Sequence, residues 1–224
     1  MNTTNQKSKV AIIGLGNIGK IVATNLVNGG RSVILSSRET EKANQFAAEL
    51  GNLAIVEETS KAIQDADIVI PAIYFDAIKE FLQQYATQLS GKIIVDVSNP
   101  IAPDGNGGFK KIIDANASAG ETLLALAPKD ASFVKAFGTL GAASLSKEAF
   151  SKPDRKVLFY ASDNTNSNKK IEELITDSGF KPLQIGGINQ SIRIEVFGDL
   201  HEFGALGKAV TLDEAKAALT HSVN

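Results

Sequence analysis

The chain has 224 residues, 23 Lys plus Arg against 25 Asp plus Glu, and a formal charge of -2. That size suits one medium α/β domain, or a nucleotide domain of about 150 residues with a small appendage. The charge balance gives no electrostatic footprint for nucleic acid or an anionic membrane. The absence of cysteine excludes disulfides, thiolate catalysis and sulfur-ligated metals.

The polar start, Met1 to Lys9, lacks the apolar core of a signal peptide, and no apolar run reaches the roughly 18 residues of a membrane span. A cytoplasmic protein is expected. Residues 9–13 read as a buried strand and 17–27 as a helix, closed by Gly29-Gly30. A strand at 33–35 precedes a helix at 39–50 that turns Ala43, Phe46, Ala47 and Leu50 inward. A short strand at 54–56, a brief helix at 59–64 and a strand at 68–70 follow. Residues 75–88 are helical by the spacing of Ile78, Phe81, Leu82, Tyr85 and Leu89, and 92–96 is a strand ended by Ser98-Asn99-Pro100.

Residues 101–108, rich in Pro, Asp, Asn and Gly, read as a loop, either covering a ligand or merely linking. A helix at 118–127 and a strand at 132–136 come next, then a strand, helix and strand at 156–161, 166–178 and 180–185. From 188 to 206 a largely helical reading fits Ile192, Val196, Leu200 and Phe203. The tail at 211–219 opens on Thr-Leu-Asp-Glu, a helix cap with early acids.

Short strands alternating with helices require a parallel sheet with right-handed crossovers. The expected fold is α/β: a Rossmann-type, doubly wound, mostly parallel sheet with helices on both faces and a small C-terminal α/β extension. Residues 1–150 would form the dinucleotide-binding domain, and 151–224 the smaller portion beside the acceptor cleft.

The run from Val10 through Gly14, Leu15, Gly16, Asn17, Ile18 and Gly19 sits between a strand and a helix, the context a dinucleotide-binding turn needs. Gly14 permits the tight turn, Gly16 lets a pyrophosphate approach the backbone, and Gly19 lets the helix approach the sheet. Unpaired N–H groups near Asn17 and Ile18 would meet the phosphates. Where an NAD-selective site places an acid on the adenine ribose, this chain has Ser36, Ser37 and Arg38. Two hydroxyls and a planar cation suit a 2′-phosphate, so the cofactor expected is NADP(H), with Glu39 turned away into the next helix.

Pro71, Ala72, Ile73 and Tyr74 follow the fourth strand where the chain should pass the middle of the cofactor, and Phe75 either joins them or opens the next helix. Ser98, Asn99 and Pro100 end the fifth strand on the same side. Asn99 can donate and accept at once, which suits a nicotinamide carboxamide or ribose as well as an Asn-Pro turn. Phe137, Gly138, Thr139 and Leu140 offer backbone N–H groups and a hydroxyl as a floor for a flat acceptor. His201 is a candidate pocket or interface residue. His201 and Glu202 are adjacent and cannot share a helix face, so no metal site is expected. With no independent acid–base machinery, direct hydride transfer between stacked rings is the chemistry expected, and no catalytic side chain is assigned.

With these segments in order, the chain resembles the family of deazaflavin-dependent NADP reductases, the coenzyme F420-dependent NADP oxidoreductases. The matching pieces are Ile13 to Gly19, Ser36 to Arg38, Asp96 to Pro100, Lys135 to Leu140 and Gly186-Gly187. The resemblance implies hydride exchange between NADP(H) and a deazaflavin (F420) or flavin in the cleft. It places the phosphate-recognising positions on Ser36, Ser37 and Arg38, the cofactor-lining segment on 71–75 and the acceptor segment near 137–140. There Gly138 stands where the family usually has an asparagine.

Two other readings remain open. One is an NADP-dependent dehydrogenase or reductase of a small carbonyl or imine, which would need a proton donor within about 3 Å of the substrate. The other is a nonenzymatic NADP(H) sensor. The partner expected is a small-molecule redox acceptor. Ile192, Val196, Phe197 and Phe203 would suit a homodimer contact as well as a core.

Overall fold

The computed structural model describes residues 7–221. The first half alternates strictly: β1 (Val10–Ile13), α1 (Asn17–Asn28), β2 (Val33–Ser36), α2 (Thr40–Leu50), β3 (Ala54–Val56), α3 (Thr59–Asp65), β4 (Ile68–Pro71), α4 (Phe75–Gln84), α5 (Ala86–Leu89) and β5 (Ile93–Asp96). A hairpin of β6 (Ile101–Pro103) and β7 (Phe109–Lys111) leads to α6 (Ala119–Leu124), β8 (Ser132–Ala136) and α7 (Ala142–Lys147). Then come β9 (Val157–Ser162), α8 (Thr165–Asp177), β10 (Lys181–Gln184), a 3-10 helix (Ile188–Ile194) and α9 (Leu212–His221).

Eight strands form one sheet in the order β10-β9-β8-β5-β4-β1-β2-β3. The pairs from β3 to β8 are all parallel; β9 runs antiparallel to β8 and parallel to β10. This is the Rossmann-type architecture expected, with β9 and β10 of the C-terminal portion continuing the same sheet. Chain order reverses between β1 and β4, so the crevice outside their carboxyl ends is where such a sheet takes a ligand.

The four residues of β1 are all buried because the sheet is covered twice. Val10 and Ile12 pack with Val22 and Leu26 of α1 on one face. Ala11 and Ile13 pack with Ile63, Ile78 and Leu82 on the other. A strand covered on both faces reads as a continuous apolar run, and the pleat divides it between the layers.

Four expectations need correction. Residues 101–111 are a two-stranded hairpin instead of a loop: the Asp104 carboxylate accepts from the N–H groups of Asn106 (2.8 Å) and Gly108 (2.9 Å), which fixes the turn between β6 and β7. The helix expected over 75–88 breaks at Tyr85 into α4 and α5. Helix α7 was not foreseen; Gly141 at its start donates to the Glu202 carboxylate, 61 residues away. The helix expected over 188–206 is a 3-10 helix ending at Ile194, followed by turns. There Gly198 and Gly204 lie so close to carbonyls that a Cβ on either would stand 2.4 Å and 1.8 Å from an oxygen. The tail helix α9 has the expected start: the Glu214 carboxylate accepts from the N–H (2.8 Å) and hydroxyl (3.0 Å) of Thr211.

Candidate cofactor and acceptor crevice

The turn after β1 is built so that two glycines are steric necessities and a third is open. Gly14 has φ +97°, and a Cβ there would stand 2.5 Å from Ile73 Cγ2. A Cβ on Gly19 would stand 2.0 Å from the Gly14 carbonyl oxygen. Around Gly16 nothing lies within 4 Å of such a Cβ, leaving space for a bulky anion. Gly16 is the N-cap of α1, no side chain caps that end, and its first turn holds no acid. The amino end of α1 therefore presents uncapped N–H groups and the positive pole of the helix dipole to the crevice. Leu15 and Ile18 pack their side chains against the core, while Asn17 is exposed.

Strand β2 ends beside this turn, where Gly14 N–H donates to the Ser36 carbonyl (2.8 Å). Ser36 is buried and its hydroxyl pairs with Thr59 (2.9 Å). Ser37 is half-buried and accepts from Glu39 N–H (3.2 Å). Arg38 is exposed, its side chain is in no hydrogen bond or ion pair among the described residues, and its charge acts on the neighbouring Glu39 carboxylate. Glu39 caps α2 and pairs with Lys42, which holds its carboxyl below the usual range. Ser36 at the end of β2, with Ser37 and Arg38 after it, thus occupies one corner of the crevice, with the guanidinium available to an incoming anion.

At the end of β4, Pro71 is buried and Ala72 N–H donates to the Ile13 carbonyl (2.8 Å), tying this loop to the glycine turn. Ala72 and Ile73 are half-buried, and Tyr74 is 87% exposed. Phe75 is buried in the core as the first residue of α4 and does not line the crevice.

The ends of β5 and β8 are joined by a buried ion pair whose partners stand opposite each other in register. Lys135 Nζ donates to Asp96 Oδ2 (2.7 Å), with the two side chains 1% and 0% exposed. The pair grips one residue from both sides: Asp96 Oδ1 accepts from Ser98 N–H (2.8 Å), and Lys135 Nζ also donates to the Ser98 carbonyl. Asn99 is engaged by protein, its Nδ2 donating to the Gly138 carbonyl (2.9 Å) and its Oδ1 accepting from Val196 N–H (2.7 Å). Pro100 is buried and its carbonyl accepts from Ile112 N–H at the base of the hairpin.

Phe137, Thr139 and Leu140 are buried, Phe137 at φ +63°. The Thr139 carbonyl accepts from Glu202 N–H (3.1 Å). The hydroxyls of Ser98 and Thr139 are buried without a hydrogen-bond partner. His201 is 1% exposed, and its Nδ1 accepts from Phe203 N–H (2.9 Å). Burial pushes the imidazole down to about 4, the Lys135 cation adding to the effect against the Gly138 backbone. The ring is neutral at physiological pH and lies behind the acceptor segment.

The structure brings together Gly138, Ser98 and Asn99, as expected of crevice segments. The sequence does not advertise the pair Lys135–Asp96 or the carboxylate of Glu195, which accepts from Ser118 Oγ (2.8 Å) and the N–H groups of Ala119 (3.0 Å) and Gly120 (2.9 Å). The available signal was a lysine inside an otherwise apolar strand beside a strand ending in Asp. An open recess of about 450 Å³ lies alongside, lined by Ser144, Glu148, Lys156, Glu202, Phe203 and Lys208.

The sheet order and the open, uncapped turn are those of a Rossmann-type α/β domain. Residues 9–100 match the family model of the NADP oxidoreductases, coenzyme F420-dependent. The chain is 28% identical over 187 residues to the metalloreductase STEAP3 of Rattus norvegicus, covering 84% of this chain and 36% of that protein. It therefore spans about a third of the length of that relative. It is 25% identical to the F420-dependent NADP reductase of Methanothermobacter thermautotrophicus, covering 84% of each chain. The crystal structure of the hypothetical protein SMa0349 from Sinorhizobium meliloti superposes with a TM-score of 0.79 at 26% identity, covering 93% of this chain and 97% of that one. Among the described residues no helix is long and apolar enough to cross a membrane.

Proposed function

We propose that this domain binds NADP(H) along the crevice and passes hydride between it and a planar deazaflavin or flavin. The observation that carries this reading is the uncapped amino end of α1 beneath the open side of Gly16. The N–H groups of Asn17 and Ile18 hold the pyrophosphate there, and Arg38, with the Ser37 hydroxyl, grips the 2′-phosphate. Ser36 orients the turn through its carbonyl, its hydroxyl being shared with Thr59. Ala72, Ile73 and Tyr74 line the middle of the cofactor. When bound, NADPH supplies the hydride, and the acceptor ring takes its second hydrogen as a proton from solvent.

The far end of the crevice supports a reaction without a protein acid. His201 is buried, neutral and accepting at Nδ1, and Lys135 is locked to Asp96 and Ser98. Neither is placed to protonate a carbonyl or imine, so the small-substrate reductase is the weaker reading. Segment 137–140, with Asn99 behind it, forms the wall against which an acceptor would lie, holding the two rings in contact and excluding water. The relatives differ in the redox partner their names carry, a metal in one and F420 in the other.

The test is NADPH oxidation with riboflavin, a deazaflavin, ferric chelates and a cyclic imine offered separately. The reading expects turnover with the tricyclic rings and none with the imine. Turnover with the imine alone would reject it, and NADPH binding without oxidation by any acceptor would favour a sensor.

A further inference from the structure

Four aromatic residues stand among the large exposed hydrophobics: Tyr74, Phe109, Phe197 and Phe203. Every one lies on a segment leaving the crevice end of the sheet. Tyr74 follows β4, Phe109 belongs to the hairpin after β5, and Phe197 and Phe203 sit on the loop pinned to the ends of β5 and β8. Phe197 is the one held most firmly. It is 52% exposed and adopts φ +68°, a conformation that bulky L residues avoid.

Its neighbours leave it no freedom. Glu195 is buried and accepts three hydrogen bonds from the start of α6. Val196 N–H is held by Asn99, three residues beyond β5. Gly198 N–H donates to the Glu195 carbonyl (2.8 Å), and a Cβ at 198 would stand 2.4 Å from two carbonyl oxygens. Arg193 forks onto Asp199 (2.8 and 3.1 Å). From 195 to 202 Phe197 alone is exposed. Backbone strain maintained by so many partners, around one outward apolar ring at a ligand crevice, marks a site where the strain serves binding.

We infer that Phe197 is the ring-recognition residue for the acceptor, an aromatic platform on which a flat tricyclic ring stacks, with Asn99 as its positioning residue. This deepens the function proposed above and rests on it. The occupant is identified by chemistry. A ring offers an apolar π-face that matches Phe197, whereas a small polar carbonyl substrate gains nothing from it.

The experiment titrates riboflavin and 5-deazariboflavin, followed by quenching of ring fluorescence, into protein saturated with NADP+. Phe197→Ala and Phe197→Asn remove the ring, Asn being a residue that tolerates the left-handed backbone; Phe197→Tyr keeps it. Both ring-removing variants are expected to weaken acceptor binding roughly tenfold or more. Phe197→Tyr should stay within about threefold, and NADP+ affinity and molecular mass should not change. Acceptor affinities within about twofold of wild type in Phe197→Ala and Phe197→Asn would overturn the inference. A fall in molecular mass with affinity retained would also overturn it, making the ring a contact between copies of the chain. Wild-type protein that binds NADP+ but neither ring would reject the proposed function together with the inference. Loss confined to the variants leaves both standing.

Discussion

The two halves of the crevice are prepared in opposite ways. At the β1–α1 turn the protein leaves its polar groups unanswered: Gly16 faces open space, no side chain caps α1, and Arg38 is exposed with no ion pair among the described residues. At the ends of β5 and β8 the charged and amide groups have protein partners, and the hydroxyls of Ser98 and Thr139 are buried without one. Asp96, Lys135, Ser98, Asn99, Gly138 and Val196 close on one another, and what faces outward is aromatic. An anion is recruited by unsatisfied donors, which water tolerates until the ligand comes. A flat ring is recruited by a rigid apolar wall, and the rigidity comes from hydrogen bonds the wall makes to the protein behind it.

The sharpest way to break the closed half is Lys135→Met. It leaves Asp96 charged and unpaired in a site with no exposure, so stability should fall by about 3–5 kcal/mol in urea unfolding. A loss under about 1 kcal/mol would mean the pair is dispensable. On the open half, Gly19→Ala should come next, since its Cβ would meet the Gly14 oxygen at 2.0 Å. Overpacking of this kind costs about 1–3 kcal/mol, and the distorted turn should lose NADPH affinity as well. Gly16→Ala, three residues earlier, separates the two roles. With nothing within 4 Å it should keep stability within about 0.5 kcal/mol while weakening NADPH binding at least several-fold.

Arg38→Ala should raise KM for NADPH by roughly five- to 150-fold, for a lost charged contact of about 1–3 kcal/mol, and leave KM for NADH nearly unchanged. The smallest effect is that of pH. The His201 imidazole is held at about 4 by burial, below the ordinary 6.5, so the unfolded chain takes up the proton first. Its contribution to stability is complete above about pH 6.5 and is lost as pH falls toward 4, with a slope of at most about 1.4 kcal/mol per pH unit. Urea unfolding at pH 7 and pH 5 should show a smaller difference in His201→Gln than in wild type.

The same contrast explains what the sequence made legible. The open half is written in local terms: four apolar residues, glycines at fixed offsets, then a helical repeat, and each depends only on neighbours within one turn or strand. The sheet order follows from that alternation. The closed half depends on partners far apart in the chain: Asn99 reaches Val196, Glu195 reaches the start of α6, and Glu202 reaches Gly141. No local spacing announces such contacts, so the 195–204 loop read as a helix and α7 went unseen. Asn99, expected at the cofactor by its chemistry, also bonds Gly138 and Val196 of the protein itself. Lys135 was visible only as an oddity within its strand, and its meaning needed the neighbouring strand that carries Asp96.

The central claim is that the amino end of α1 and the corner after β2 receive a dinucleotide with a 2′-phosphate. Calorimetric titration of the wild-type protein with NADP+ and NAD+ tests it most directly. The account predicts measurable binding of both, with NADP+ tighter by at least tenfold. No heat with either nucleotide, or equal affinity for the two, would contradict it.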